Sequence, residues 1–155
     1  MDPPRWIADE MVGRLARYLR FVGQDTFYAR GLADADIVEV ARTEGRILLT
    51  RDRQLARRAP GSLLLTSPRI ADQFLAVVSA FPAISFDVRF DRCSVCNGRL
   101  VPAPGPVGPG TPIARSVAER GQPVYVCEGC GHSYWEGSHT AQIRKQIATW
   151  REGRT

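Results

Sequence analysis

Apolar residues fall into two patterns along the chain: short unbroken runs, and longer stretches with helical spacing. Ile47, Leu48 and Leu49 make the clearest run. Such a run suits a strand buried on both faces, as in a parallel sheet covered by helices. Trp6-Ile-Ala8, Asp25-Thr-Phe-Tyr-Ala29 and Ser62-Leu-Leu-Leu65 predict three more strands. Helical spacing fills the gaps between them. Glu10 to Val22 carries Leu15, Leu19 and Val22 at i, i+4 and i+7, with Arg14, Arg17 and Arg20 on the opposite side and Gly23 as a stop. Asp34 is expected to cap a second helix with Ile37, Val38, Val40 and Ala41 as its apolar positions, ended by Gly45. A third helix runs from about Asp52 to Arg58, closed by Pro60-Gly61, and a fourth over residues 69–80. Ile84 to Phe90 alternates as an edge strand or an extended connector does. Strand and helix thus repeat four times. The fold class this predicts is α/β, a parallel sheet with right-handed crossovers and flanking helices.

Beyond Arg92 the character changes. Cys93-Ser-Val-Cys96-Asn-Gly98 is followed by a Pro/Gly-rich stretch, Val101 to Pro112, expected to be a long loop. A second knuckle, Cys127-Glu-Gly-Cys130-Gly131-His132, comes after it. A last helix starts near Ser138 with Ile143, Ile147 and Trp150 on one face. The division expected is residues 1–91 and residues 92–155. All four cysteines fall in the two C-x-x-C pairs, which favours structural Zn²⁺ held by Cys93, Cys96, Cys127 and Cys130 over disulfides. A closed site of four thiolates is structural rather than catalytic. Glycines after each second cysteine allow the turn that aims backbone N–H groups at sulfur. His132 could replace one cysteine as a ligand, but with four thiols present it is expected to stay free of the metal.

Composition changes the picture only at the margins. Hydrophobic content of 44% and charged content of 24% are those of an ordinary globular chain. No stretch approaches the roughly 20 apolar residues of a membrane span, and the first residues lack a signal-peptide layout, so the expectation is a cytoplasmic protein with no membrane partner. The net charge of +5 hints at a polyanion, and its excess falls mostly after residue 91. All but one of the basic residues are Arg, which grips phosphate bidentately.

Candidate chemistry starts with the acids. Asp9 and Asp52 each follow an apolar strand, and Asp34 opens the helix after a third. In a parallel sheet these ends share one edge, where open α/β sheets bind ligands. Asp52 either enters that cleft or merely caps the next helix. Converging carboxylates repel unless a cation lies between them, and Mg²⁺ or Mn²⁺ suits oxygen ligands. Arg14, Arg17 and Arg51 are candidate phosphate contacts.

The series Asp9-Glu-Met-Val-Gly-Arg-Leu-Ala-Arg-Tyr-Leu-Arg20, Asp34-x-x-Ile37, Leu48-Leu-Thr-Arg-Asp52, Cys93-x-x-Cys96-Asn-Gly98 and Cys127-x-x-Cys130-Gly-x-x-Tyr-Trp-x-Gly-Ser-His139 resembles one family. That family is the PIN-like ribonuclease domain with a C-terminal zinc ribbon, the C-terminal domain of Mut-seven-type exonucleases. The resemblance covers about residues 5–150. It implies a PIN-like α/β nuclease domain over residues 1–91, a zinc ribbon over 92–155, and divalent-metal-dependent RNA cleavage. It carries catalytic roles to Asp9, Asp34 and Asp52, and a second acid to Asp36. A fourth acid has no clear match; Asp72 and Asp87 are the candidates. His139, in the Gly-Ser-His segment, is either an RNA contact or a brace between ribbon and helix. Tyr134 and Trp135 either stack on bases or pack the ribbon. The partner implied is RNA, with ribosome or tRNA association as a further candidate. The alternative is a non-catalytic RNA-binding or ribosome-associated adaptor. A toxin with an antitoxin partner is disfavoured by the ribbon. Oligomeric state is not legible.

Overall fold

The computed structural model describes residues 2–103 and 112–153. Contacts divide the chain into two units, Met1–Arg20 with Gln24–Ile84, and Phe21–Gly23 with Ser85–Thr155.

The first unit alternates strand and helix as the hydrophobic pattern predicts. It contains β1 (Arg5–Ala8), a 3-10 turn (Glu10–Val12), α1 (Gly13–Phe21, its last residue counted with the second unit), β2 (Thr26–Tyr28), α2 (Asp34–Glu44), β3 (Arg46–Thr50), α3 (Arg53–Arg58), β4 (Leu63–Leu64) and α4 (Ile70–Ala80). All four strands are parallel, in the order β2-β1-β3-β4. The chain steps one way from β1 to β2 and the other way from β2 through β3 to β4. Right-handed crossovers therefore put α1 on one face and α2 and α3 on the other. Packing agrees. Ile7 and Leu48, side by side in register, bury one sheet face with Ile37 and Ala41 of α2 and Leu55 of α3. Trp6 and Leu49, one position along, belong to the opposite face and are fully buried. Trp6 lies edge-on to Phe81 at 4.9 Å and donates its indole N–H to Gln24.

Three expectations change. The Glu10 to Val22 helix begins with a tighter 3-10 turn, because the Asp9 side chain caps the Met11 N–H first. Arg20 is not on the solvent face with Arg14 and Arg17. It is buried, and its Nε donates to the Thr26 carbonyl at 2.9 Å. Of the two alternatives for Ile84 to Phe90 the edge strand does not form; the segment is a connector that includes bends and a turn.

The second unit holds β5 (Leu100–Pro102), α5 (Pro112–Glu119), β6 (Val124–Cys127), β7 (Ser133–Trp135) and α6 (Ser138–Gly153). Its sheet is antiparallel in the order β5-β6-β7. Part of the stretch expected to be a loop, Val101 to Pro112, belongs to β5 and α5; residues 104–111 lie outside the described residues. Helix α5 was not legible from the Pro/Gly composition, yet Ala114 and Val117, one turn apart, are buried against Val124. Ile143, Ile147 and Trp150 of α6 are buried, as their spacing predicts.

Candidate active site and metal centre

Parallel strands deliver their carboxyl ends to one rim, and Asp9 and Asp52 follow the two inner strands there. Asp9 directly follows β1, and its N–H donates to the Leu49 carbonyl of β3 at 3.1 Å. Its carboxylate is buried. One oxygen accepts from the Met11 N–H at 2.9 Å; the other accepts from the Thr50 hydroxyl. The same Thr50 oxygen accepts from the Asp52 N–H at 2.9 Å. A single buried hydroxyl thus links the Asp9 carboxylate to the backbone of Asp52. Thr50 was not singled out from sequence, where it looks like an ordinary β-branched strand end.

Asp52 caps α3. Its Oδ1 accepts from the N–H groups of Gln54 at 2.9 Å and Leu55 at 3.2 Å. Asp34 is not the cap of α2: Ala33 holds the extended cap conformation, and Asp34 is the first helical residue. Asp34 and Asp36 are both exposed in the first turn, where the helix dipole favours negative charge. Among the described residues, the four cysteines are the group of three or more candidate ligands whose donor atoms all lie within 4.8 Å. Asp9, Asp34 and Asp52 follow successive strands of one sheet without closing to that extent. Of the two fourth-acid candidates, Asp72 is in the first turn of α4, after β4, accepting from Ser67 at 2.7 Å. Asp87 belongs to the second unit and pairs with Arg144.

Arg14 and Arg17 are exposed on α1, and the Arg14 guanidinium lies 5.9 Å from the Tyr18 ring centre. Arg51 lies between Thr50 and Asp52. Its Nε is buried with no hydrogen-bond partner among the described residues. A buried donor without an acceptor is costly.

In the second unit the knuckles converge. Cys93 and Cys130 sulfurs are 3.6 Å apart, and Cys96 and Cys127 sulfurs 3.5 Å. A tetrahedron of ~2.3 Å zinc–sulfur bonds has edges of about 3.8 Å, so these four could hold a structural metal such as zinc. The Gly98 N–H points at Cys96 sulfur and the Gly129 N–H at Cys127 sulfur. Gly98 is required for a steric reason: a Cβ there would lie 2.7 Å from Cys127 sulfur. Gly131 plays a different part, adopting φ +81 and donating to the Cys127 carbonyl. Burial works against the Cys93 thiolate. The Tyr134 hydroxyl at 2.9 Å and the backbone of Cys96 and Val95 outweigh it and hold the thiol down to about 7. Burial first, and then neighbouring thiols, push Cys130 up to about 12. His132 is not part of the four-cysteine group; its Nδ1 lies 3.4 Å from Cys130 sulfur. Tyr134 packs around the knuckles and Trp135 against the α5 cluster. His139 is exposed at the start of α6, its ring edge-on to Phe21 at 6.3 Å.

These features define an α/β protein with a four-stranded parallel sheet, helices on both faces, and a four-cysteine centre near its C-terminal end. The model of the Mut7-C RNAse domain matches residues 4–147, nearly the whole chain, and the chain belongs to that family. A nuclease or RNA-related function follows from the family, with RNA as the substrate it implies. No curated protein and no solved structure matches the chain.

Proposed function

We propose that the protein is a divalent-metal-dependent ribonuclease whose centre is the carboxyl rim of β1 and β3. The observation that carries this is the Thr50 bridge, which ties two acids from distant parts of the chain to neighbouring inner strands. The donor set fits a hard cation: Asp9 and Asp52 would hold it directly, with Asp34 and Asp36, in the first turn of α2, as further acids of the site. Mg²⁺ keeps several waters and uses one or two carboxylates with substrate phosphate, so a closed cage of acids is not required. Such an ion supplies charge neutralisation at the phosphodiester and an activated water. The chain's own residues do the rest. Thr50 donates to Asp9 and fixes its carboxylate. Arg14, Arg17 and Arg51 would contact phosphates through their guanidinium groups. His139 offers a further RNA contact from the second unit. We assign the nuclease chemistry to residues 1–91, and a zinc ribbon that aids RNA docking to residues 92–155.

The test is Asp52→Asn on labelled RNA with Mn²⁺. Asparagine caps helices as well as aspartate does, so α3 and the melting temperature should be preserved. Cleavage should fall at least about a hundredfold. Undiminished cleavage overturns the assignment. Metal-independent RNA binding by the wild-type protein with no cleavage at all would identify a non-catalytic adaptor instead.

A further inference from the structure

Met11 and Leu32 are large apolar side chains left exposed, and each lies two residues from an acid of the rim. Met11 follows Asp9; Leu32 precedes Asp34. Their loops are fastened to one another. The Glu10 carboxylate accepts from the Gly31 N–H at 3.1 Å, and the Tyr28 hydroxyl donates to the Glu10 carbonyl at 2.8 Å. The residues next in sequence to this clip are Met11 on one loop and Leu32 on the other. Two glycines make the clip possible. Gly31 turns the chain with φ +80, and a Cβ at Gly13 would stand 2.6 Å from the Tyr28 hydroxyl. Arg30, exposed, precedes Gly31, and Arg14, also exposed, lies one helical turn beyond Met11.

A single exposed apolar side chain needs no explanation. Two on segments joined by hydrogen bonds, each two residues from a carboxylate and with exposed arginines close in sequence, offer what one nucleotide presents: an apolar base face together with an anionic phosphate. We propose that Met11 and Leu32 seat one unstacked base of single-stranded RNA, with Arg30 receiving an adjacent phosphate. Which phosphate is cut rests on the nuclease reading; the binding does not. Apolar contact with a base face carries little hydrogen-bond information, so base preference should be weak. A duplex keeps its bases stacked and cannot use this seat.

The experiment uses the full zinc-loaded protein, without added Mg²⁺ or Mn²⁺, and a labelled RNA oligonucleotide offered single-stranded or as a duplex. Single strand should bind more tightly. Met11→Ser and Leu32→Ser should each weaken single-strand binding about fivefold, the low end for loss of one base contact, and leave duplex binding unchanged. Met11→Leu should bind as the wild type does. Arg30→Gln should weaken binding and flatten its salt dependence by about one counterion. Moving an abasic nucleotide along the oligonucleotide should find one position at which Met11→Ser causes no further loss. Equal weakening of single strand and duplex, or no weakening, overturns the proposal. So does a self-associated form that Met11→Ser dissociates, since a second copy would then occupy the surface. If Asp52→Asn still cleaves but the apolar variants lose single-strand binding, the metal assignment fails and the base seat stands.

Discussion

Thr50 shows how much one hydroxyl can decide. Fully buried, it donates to Asp9 and accepts from the Asp52 N–H. Thr50→Val keeps the shape and removes both bonds. It should cost about 1–3 kcal/mol in chemical denaturation and lower cleavage, whereas Thr50→Ser should retain most of both. This role is invisible in sequence, because hydrogen bonding between residues 41 apart leaves no local pattern. Arg20 teaches a similar lesson. Its helical spacing matches Arg14 and Arg17, but a carbonyl within reach at Thr26 draws it inside. Gly98 is the reverse case, a residue whose need is legible from its knuckle. Gly98→Ala should weaken zinc retention, measured by competition with a chromogenic chelator, because the added methyl meets Cys127 sulfur.

At the scale of elements, the four parallel strands were legible because unbroken apolar runs occur where both faces are covered. Leu48, buried among α2 and α3, is typical. Leu48→Ala should destabilise the first unit by about 2–5 kcal/mol in urea unfolding. Helix α5 escaped notice since prolines and glycines before it suggested continued loop, although Ala114 and Val117 carried the signal. Among the described residues, the small sheet of the second unit packs against the knuckles through Leu100 and against α5 through Val124. Zinc binding in isolated zinc-finger peptides is worth roughly 10–16 kcal/mol and is lost with the metal. Chelation should therefore unfold the β5-β6-β7 sheet, followed by loss of amide-exchange protection there, while protection of β1 and β3 persists. The acids were legible as strand-end residues. Their separations were not, because whether neighbouring rim carboxylates close on each other depends on loop conformation and cap geometry.

For the whole molecule, the net charge of +5 makes RNA affinity salt-dependent. Raising salt from 50 to 200 mM should weaken binding by an order of magnitude or more if several phosphates are neutralised; a flat response would mean that the arginines are not the contacts. The described helices include none long and apolar enough to cross a membrane. The strand order carries a further consequence. β1 is an inner strand hydrogen-bonded to β2 on one side and β3 on the other, and it precedes both in the chain. A ribosome therefore releases it before either neighbour emerges. Until Arg46–Thr50 emerges, the Trp6-Ile7-Ala8 edge stays open to chance pairing, and Asp9 has no Thr50 to meet. On the proposed reading the centre forms only with the β1–β3 ladder, so slower translation between those segments prolongs the time in which Asp9 lacks its partner.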